Sequence, residues 1–89
     1  MTQRSWIKFN SKMSSILVDD NKRTALWKNL KNFDRDLDMA KMYVEWKSLT
    51  EIASEYWISR ERSRQIVERV EQQQDRLVQV YDAVESFSL

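Results

Sequence analysis

Residues 48–70 read SLTEIASEYWISRERSRQIVERV, and the fold turns on how this stretch divides. Ser48, followed three residues later by Glu51, has the pattern of a capping box and opens a short helix from Leu49 to Tyr56. Ser59 offers an N-cap oxygen to a second helix that starts at Arg60. Trp57 and Ile58 are left between them as a tight corner.

Two helices joined in this way need an apolar residue on the first, a small residue where the second crosses it, and a second helix with one buried stripe. Ile52, Ala53 and Tyr56 fill the first-helix roles, because alanine lets two backbones approach closely. Ile58 follows the corner, and Ile66 and Val70 fall on the buried stripe. The reading is a helix-turn-helix. Two positions depart from it. Trp57 stands where a left-handed backbone favours glycine, at a cost of about 1 kcal/mol. Ser63 stands at a buried mid-helix position where valine or isoleucine is usual.

Outward from this unit the chain reads as helix throughout. None of its 89 residues is Gly or Pro, so the economical architecture is all-α, with helices joined by short polar corners. Trp6, Phe9, Met13 and Ile16 recur at helical spacing, although Trp6 to Phe9 alone has the look of a strand. Asp19, Asp20 and Asn21 offer caps for a second segment with Leu26, Trp27, Leu30 and Phe33 on one stripe. Asp34 or Asp36 is expected to cap a third, with Leu37, Ala40, Tyr43, Val44 and Trp46 facing inward. The helix opened by Ser59 is expected to run to about Val84, with Gln72, Gln73 and Gln74 as a solvated face. The expected division is 1–35 for N-terminal helices packing on or flanking the core, 36–70 for the helix-turn-helix, and 71–89 for a C-terminal helical extension. A chain of this length suits one small core, burying about 60–65% of the unfolded surface.

Composition narrows the function. Cys and His are both absent, which removes thiolate catalysis, Cys-based zinc sites and the commonest general base. Without glycine there is no phosphate-cradling loop. The expectation is a protein that is not an enzyme and takes no cofactor or metal. The longest apolar run is Ile16-Leu17-Val18, so neither a membrane span nor a secretory signal core is expected, and the cytoplasm is the expected setting. Net charge is +1, but residues 1–47 carry +4 and residues 48–89 carry −3, with Arg60, Arg62, Arg64 and Arg69 clustered within the second half.

On a helix starting at Arg60, i, i+4 spacing gathers Arg60, Glu61, Arg64 and Gln65 on one exposed face. Arginine takes guanine O6 and N7 bidentately, glutamine takes adenine N6 and N7, and glutamate accepts from cytosine N4. These four are the candidate base readers, placed in the first two turns of a helix suited to a major groove. The N-terminus of the preceding helix, with free N–H groups at Leu49 and Thr50, is a natural phosphate seat beside Lys47. Ser59, Arg62 and Arg69 complete the candidate phosphate contacts. The alternative is a solvated face in which the same arginines pair with neighbouring glutamates.

The run from Ile58 to Ile66, ISRERSRQI, resembles the −35-reading module of bacterial sigma factors, region 4. Its recognition helix typically reads VTRERVRQI, and the helix before it resembles Ser48 to Ala53. The resemblance is strongest over 43–70. It implies that the positions of Arg60, Glu61 and Gln65 contact bases, that those of Arg62 and Arg64 contact bases or phosphates, and that the domain docks on the β flap of RNA polymerase. Ser63 is the clear mismatch. A complete sigma factor also carries a module that melts the −10 element, for which 89 residues leave no room. A free-standing promoter reader with double-stranded DNA as its partner is therefore expected, in a bacterial or phage-infected cell. Other readings are a protein-interaction module that occupies polymerase or a partner through the same surface, and an oligomeric subunit of DNA packaging or replication.

Three further features stay open between structural and functional roles. Trp27 and Trp46 are expected in the core, and Trp57 either plugs the corner or meets a partner. Asp34, Asp36 and Asp38 alternate, a spacing that does not converge on a metal, so capping is expected. Ile66, Val70, Gln73, Leu77, Val80, Val84 and Phe87 follow a heptad rhythm. This seam either packs within the chain or on a partner, or makes a homodimer through the C-terminal helix.

Overall fold

The computed structural model describes residues 7–30 and 33–87. Among them the chain forms six helices and no strand: α1 (Ser11–Val18), α2 (Asp20–Trp27), α3 (Asp34–Val44), α4 (Leu49–Tyr56), α5 (Arg60–Gln72) and α6 (Gln74–Phe87). The protein is all-α, and no described helix is long and apolar enough to cross a membrane.

Side-chain oxygens start most of these helices. Asn10 accepts from Met13 N at 2.8 Å, and Asp19 accepts from Asn21 N at 2.9 Å and Lys22 N at 3.1 Å. Ser48 and Glu51 close a reciprocal box, with Ser48 N–H on Glu51 Oε1 at 2.9 Å and Glu51 N–H on Ser48 Oγ at 3.1 Å. α3 is the exception. Its N-cap is Phe33, without a side-chain cap, and Asp34 and Asp36 lie inside its first turn. Neither caps the helix, but carboxylates there still face the positive end of the helix dipole.

The core has two adjoining clusters. The first gathers Met13, Ile16 and Leu17 of α1, Leu26 of α2, Leu37 and Ala40 of α3, Val70 of α5 and Leu77 of α6. The second gathers Ile7, Met39 and Tyr43 of α3, Ile52 of α4, and Ile66 and Val67 of α5. α3 and α5 belong to both, each turning different sides of one helix to the two clusters. Arg23 locks the N-terminal pair to α3: its guanidinium donates to the Leu17 carbonyl at 2.7 Å, Asp20 at 2.7 Å and Asp38 at 2.9 Å.

Several expectations are corrected. The first helix starts at Ser11, so Phe9 packs from an extended approach, and Trp6 lies outside the described residues. α2 stops at Trp27, and Leu30 and Phe33 reach the first cluster from outside it. The helix expected from Arg60 to Val84 breaks at Gln73, whose φ −101° and ψ 8° depart from helical values. That break lets Leu77 turn into the first cluster. Gln74 is no solvated face either: its Oε1 accepts from Asn10 N at 2.8 Å and its Nε2 donates to the Lys8 carbonyl at 3.0 Å. Trp46, expected in the core, is 79% exposed, and Trp27 is 37% exposed. Trp46 lies two residues past the end of α3 with φ 74°, in the left-handed region where the chain turns towards α4.

The heptad seam is used within the chain over most of its length. Ile66, Val70 and Leu77 are buried, Val80 packs against the first cluster, and Phe87 is exposed.

Candidate nucleic-acid interface

The α4–α5 corner depends on two residues that depart from the usual pattern. Trp57 caps α4 at φ 58° and ψ 39°, the left-handed conformation that the corner requires, and its N–H returns to the Ala53 carbonyl. A non-glycine residue there strains the backbone by about 1–2 kcal/mol. Its ring is 94% exposed, so packing within the chain offsets almost none of that. Ser63 is fully buried, and its hydroxyl lies 3.0 Å from the Leu49 carbonyl of α4 and 2.8 Å from the Arg60 carbonyl of its own helix. Where valine would contribute apolar contact, serine contributes a hydrogen bond between the two helices. Ile52 and Ala53 are buried against α5, Tyr56 and Ile58 are half-buried at the rim, and Ile66 is buried in the same cluster. Val70 is buried too, but in the first cluster, among side chains of α1 and α2. Met39 and Val67 complete the second cluster and were not anticipated from the sequence pattern.

With Ser63, Ile66, Val67 and Val70 inward, the 100° step of a helix puts Glu61, Gln65 and Glu68 at the middle of the outer face of α5. Arg64 borders this group, Arg60 lies towards α4, and Arg62 and Arg69 lie towards α3. Arg60, Glu61, Arg62 and Gln65 are all exposed. Arg64 is bracketed along the helix. Its guanidinium pairs with Glu61 on one side and with Glu68, at 2.7 Å, on the other. The hydrogen bond from Arg64 holds the Glu61 carboxyl below the usual carboxylate range. Glu68 sits one turn beyond Arg64, and that spacing alone was enough to anticipate the pair.

The phosphate candidates fall into two groups. At the start of α4, Ser48 Oγ takes the Glu51 N–H and the Ser48 carbonyl takes the Ile52 N–H. Among the described residues nothing takes the Leu49 or Thr50 N–H, and Lys47 is exposed beside them. Ser59 serves as the cap of α5, its Oγ accepting from Arg62 N at 3.1 Å. On the α3 side, Arg69 approaches Asp36 at 3.7 Å and Arg35 approaches it at 3.8 Å. Asp36 is buried at this α3–α5 contact, and burial pushes its carboxyl up despite the pull of Arg35, Arg69 and Arg62. Its burial left no trace in the sequence, where it reads as one of three alternating aspartates.

Among the described residues no group of carboxylates gathers as a metal site. No family model, curated protein or solved structure matches the chain.

Proposed function

We propose that the protein is a DNA-binding transcription regulator without enzymatic activity, resembling a free-standing sigma region 4 and acting in the cytoplasm of a bacterium or a phage-infected cell. One observation carries this reading. The left-handed corner at Trp57 and the Ser63–Leu49 hydrogen bond hold α5 with Glu61 and Gln65 outward, Arg64 beside them and Arg60 exposed towards α4. The open N–H groups of Leu49 and Thr50 stand on the neighbouring helix. Arg60 and Arg64 would read guanine, Gln65 adenine, and Glu61 cytosine. Lys47, Leu49, Thr50, Ser59, Arg62 and Arg69 would hold the backbone. RNA polymerase, through its β flap, is the protein partner in this proposal.

At Arg64 the salt-bridged alternative is realised, since it pairs with Glu61 and Glu68, and base reading requires it to leave a carboxylate. Exposed pairs on a helix surface are individually weak, whereas a bidentate guanine contact is a strong discriminator. Exchanging one carboxylate for a base edge is therefore favourable at the right sequence.

Selection of bound duplexes from a random pool, with and without core RNA polymerase, tests the proposal. The expected product is a −35-like hexamer, single or paired. Arg64→Ala or Gln65→Ala should relax the preference and cost roughly ten- to a hundredfold in affinity for the selected site. Lys47→Ala should weaken all sequences alike. If the first two variants leave preference and affinity unchanged, base reading by α5 is refuted.

A further inference from the structure

Among the described residues two have left-handed backbones, and both are tryptophans: Trp46, φ 74°, just before α4, and Trp57, φ 58°, at its end. Both rings stand in solvent. Glycine would relieve the backbone at either position, and a polar residue would suit the exposure better. Neither is present. Strained, exposed aromatics of this kind concentrate where a surface meets something else.

The helix between them gives that surface a sign. Glu51, Ser54 and Glu55 are exposed on α4, and Glu45 is exposed beside Trp46. Hydrogen bonds from the Ser48 backbone and hydroxyl hold the Glu51 carboxyl below the usual carboxylate range. Lys47 is the single cation of this stretch, so three carboxylates face one ammonium between residues 45 and 57. Beyond the phosphate seat at Lys47, Leu49 and Thr50, duplex DNA is a poor occupant of this side, because Glu51 and Glu55 repel its phosphates.

We infer that the outer side of α4, ended by Trp57 and lined by Glu51 and Glu55, docks a protein segment bearing lysine or arginine among apolar side chains. The aromatic faces accept apolar groups and guanidinium ions, and the carboxylates pair with the charges. This surface lies past the phosphate seat at the start of α4 and apart from the outer face of α5, so the protein would hold its partner beside its DNA.

The probe is a displayed library of random twelve-residue peptides selected on the full chain, with the leading peptide then labelled and titrated. Enriched peptides should carry an excess of lysine and arginine together with apolar residues. Trp57→Gly should raise the thermal midpoint by a few degrees, because it relieves the left-handed strain, yet weaken the peptide at least tenfold. Glu55→Gln should weaken it too, most strongly at low salt. The inference is overturned if no peptide is enriched above an unrelated control protein, if the enriched peptides lack a cationic excess, or if Trp57→Gly binds as the wild type does. It is equally overturned if Trp57→Gly spares the peptide but loses duplex binding, which would assign the ring to DNA.

Discussion

Replacing Ser63 probes the joint that sets α5 against α4. The side chain is fully buried, and its hydroxyl reaches the carbonyls of Leu49 and Arg60. Each carbonyl also serves the hydrogen-bond ladder of its own helix, so Ser63→Ala strands neither completely. The cost is then that of one ordinary buried hydrogen bond, about 1 kcal/mol. In a domain of this size that lowers the thermal midpoint by roughly 4–8 °C. Ser63→Val removes the same bond and adds volume where no side-chain surface is free, so overpacking of about 1–3 kcal/mol joins the loss. The expected order of stability is Ser above Ala above Val, read by thermal and urea denaturation followed by circular dichroism. The valine variant is the sharper test, because valine is what the sigma-like pattern would place there. If Ser63→Val melts higher than the wild type, the hydroxyl does not hold the corner and the account of this site is wrong.

Two other expectations concern the rest of the core. Burial raises the Asp36 carboxyl, so its ionisation opposes folding: its favourable contribution is complete below the ordinary aspartate range and is lost as pH rises through the higher folded value. Asp36→Asn should therefore be at least as stable as the wild type at pH 7, with the difference shrinking towards pH 3; a variant clearly less stable at neutral pH would show that Arg35 and Arg69 outweigh the burial. Leu77→Ala, at a fully packed position of α6, should cost about 2–5 kcal/mol in urea denaturation. Its midpoint should not depend on protein concentration, and a concentration-dependent midpoint would mean that the α6 seam is shared between two chains.

The helix-turn-helix was legible because its signals are local. A serine cap with glutamate three residues on, an alanine at the crossing and a serine before the arginines each act within a turn or two, and the structure has α4 and α5 starting at Leu49 and Arg60. What was misjudged depends on distant partners. Trp46 carries the right apolar character for a core position, but the chain reverses there, and no pattern of spacing foretells a left-handed residue that is not glycine. Gln73 reads as one polar interruption in a continuous seam. Beside the break Gln74 bonds to residues 8 and 10, distant partners that no local spacing announces. Asp36 is buried by α5, which follows it by more than twenty residues. Of the expected α5 face, Glu61 and Gln65 lie at the middle of the outer side, whereas Arg60 turns towards α4 and Glu68 was not singled out. The i, i+4 spacing of Arg64 and Glu68 carried a signal for their pairing that was not read, whereas the interhelical bond of Ser63 needed coordinates.

The sharing of α3 and α5 between the two clusters has a consequence for how the molecule comes apart. Val70 and Leu37 meet side chains of the N-terminal pair, while Val67 and Met39, a few residues away on the same helices, meet those of the corner. Neither half can melt without stripping one side from helices the other half requires. Denaturation should accordingly proceed as a single all-or-none event, and residues 36–70 excised alone would present Leu37, Ala40 and Val70 to water as a bare apolar flank, better suited to clumping than to work as a portable cassette.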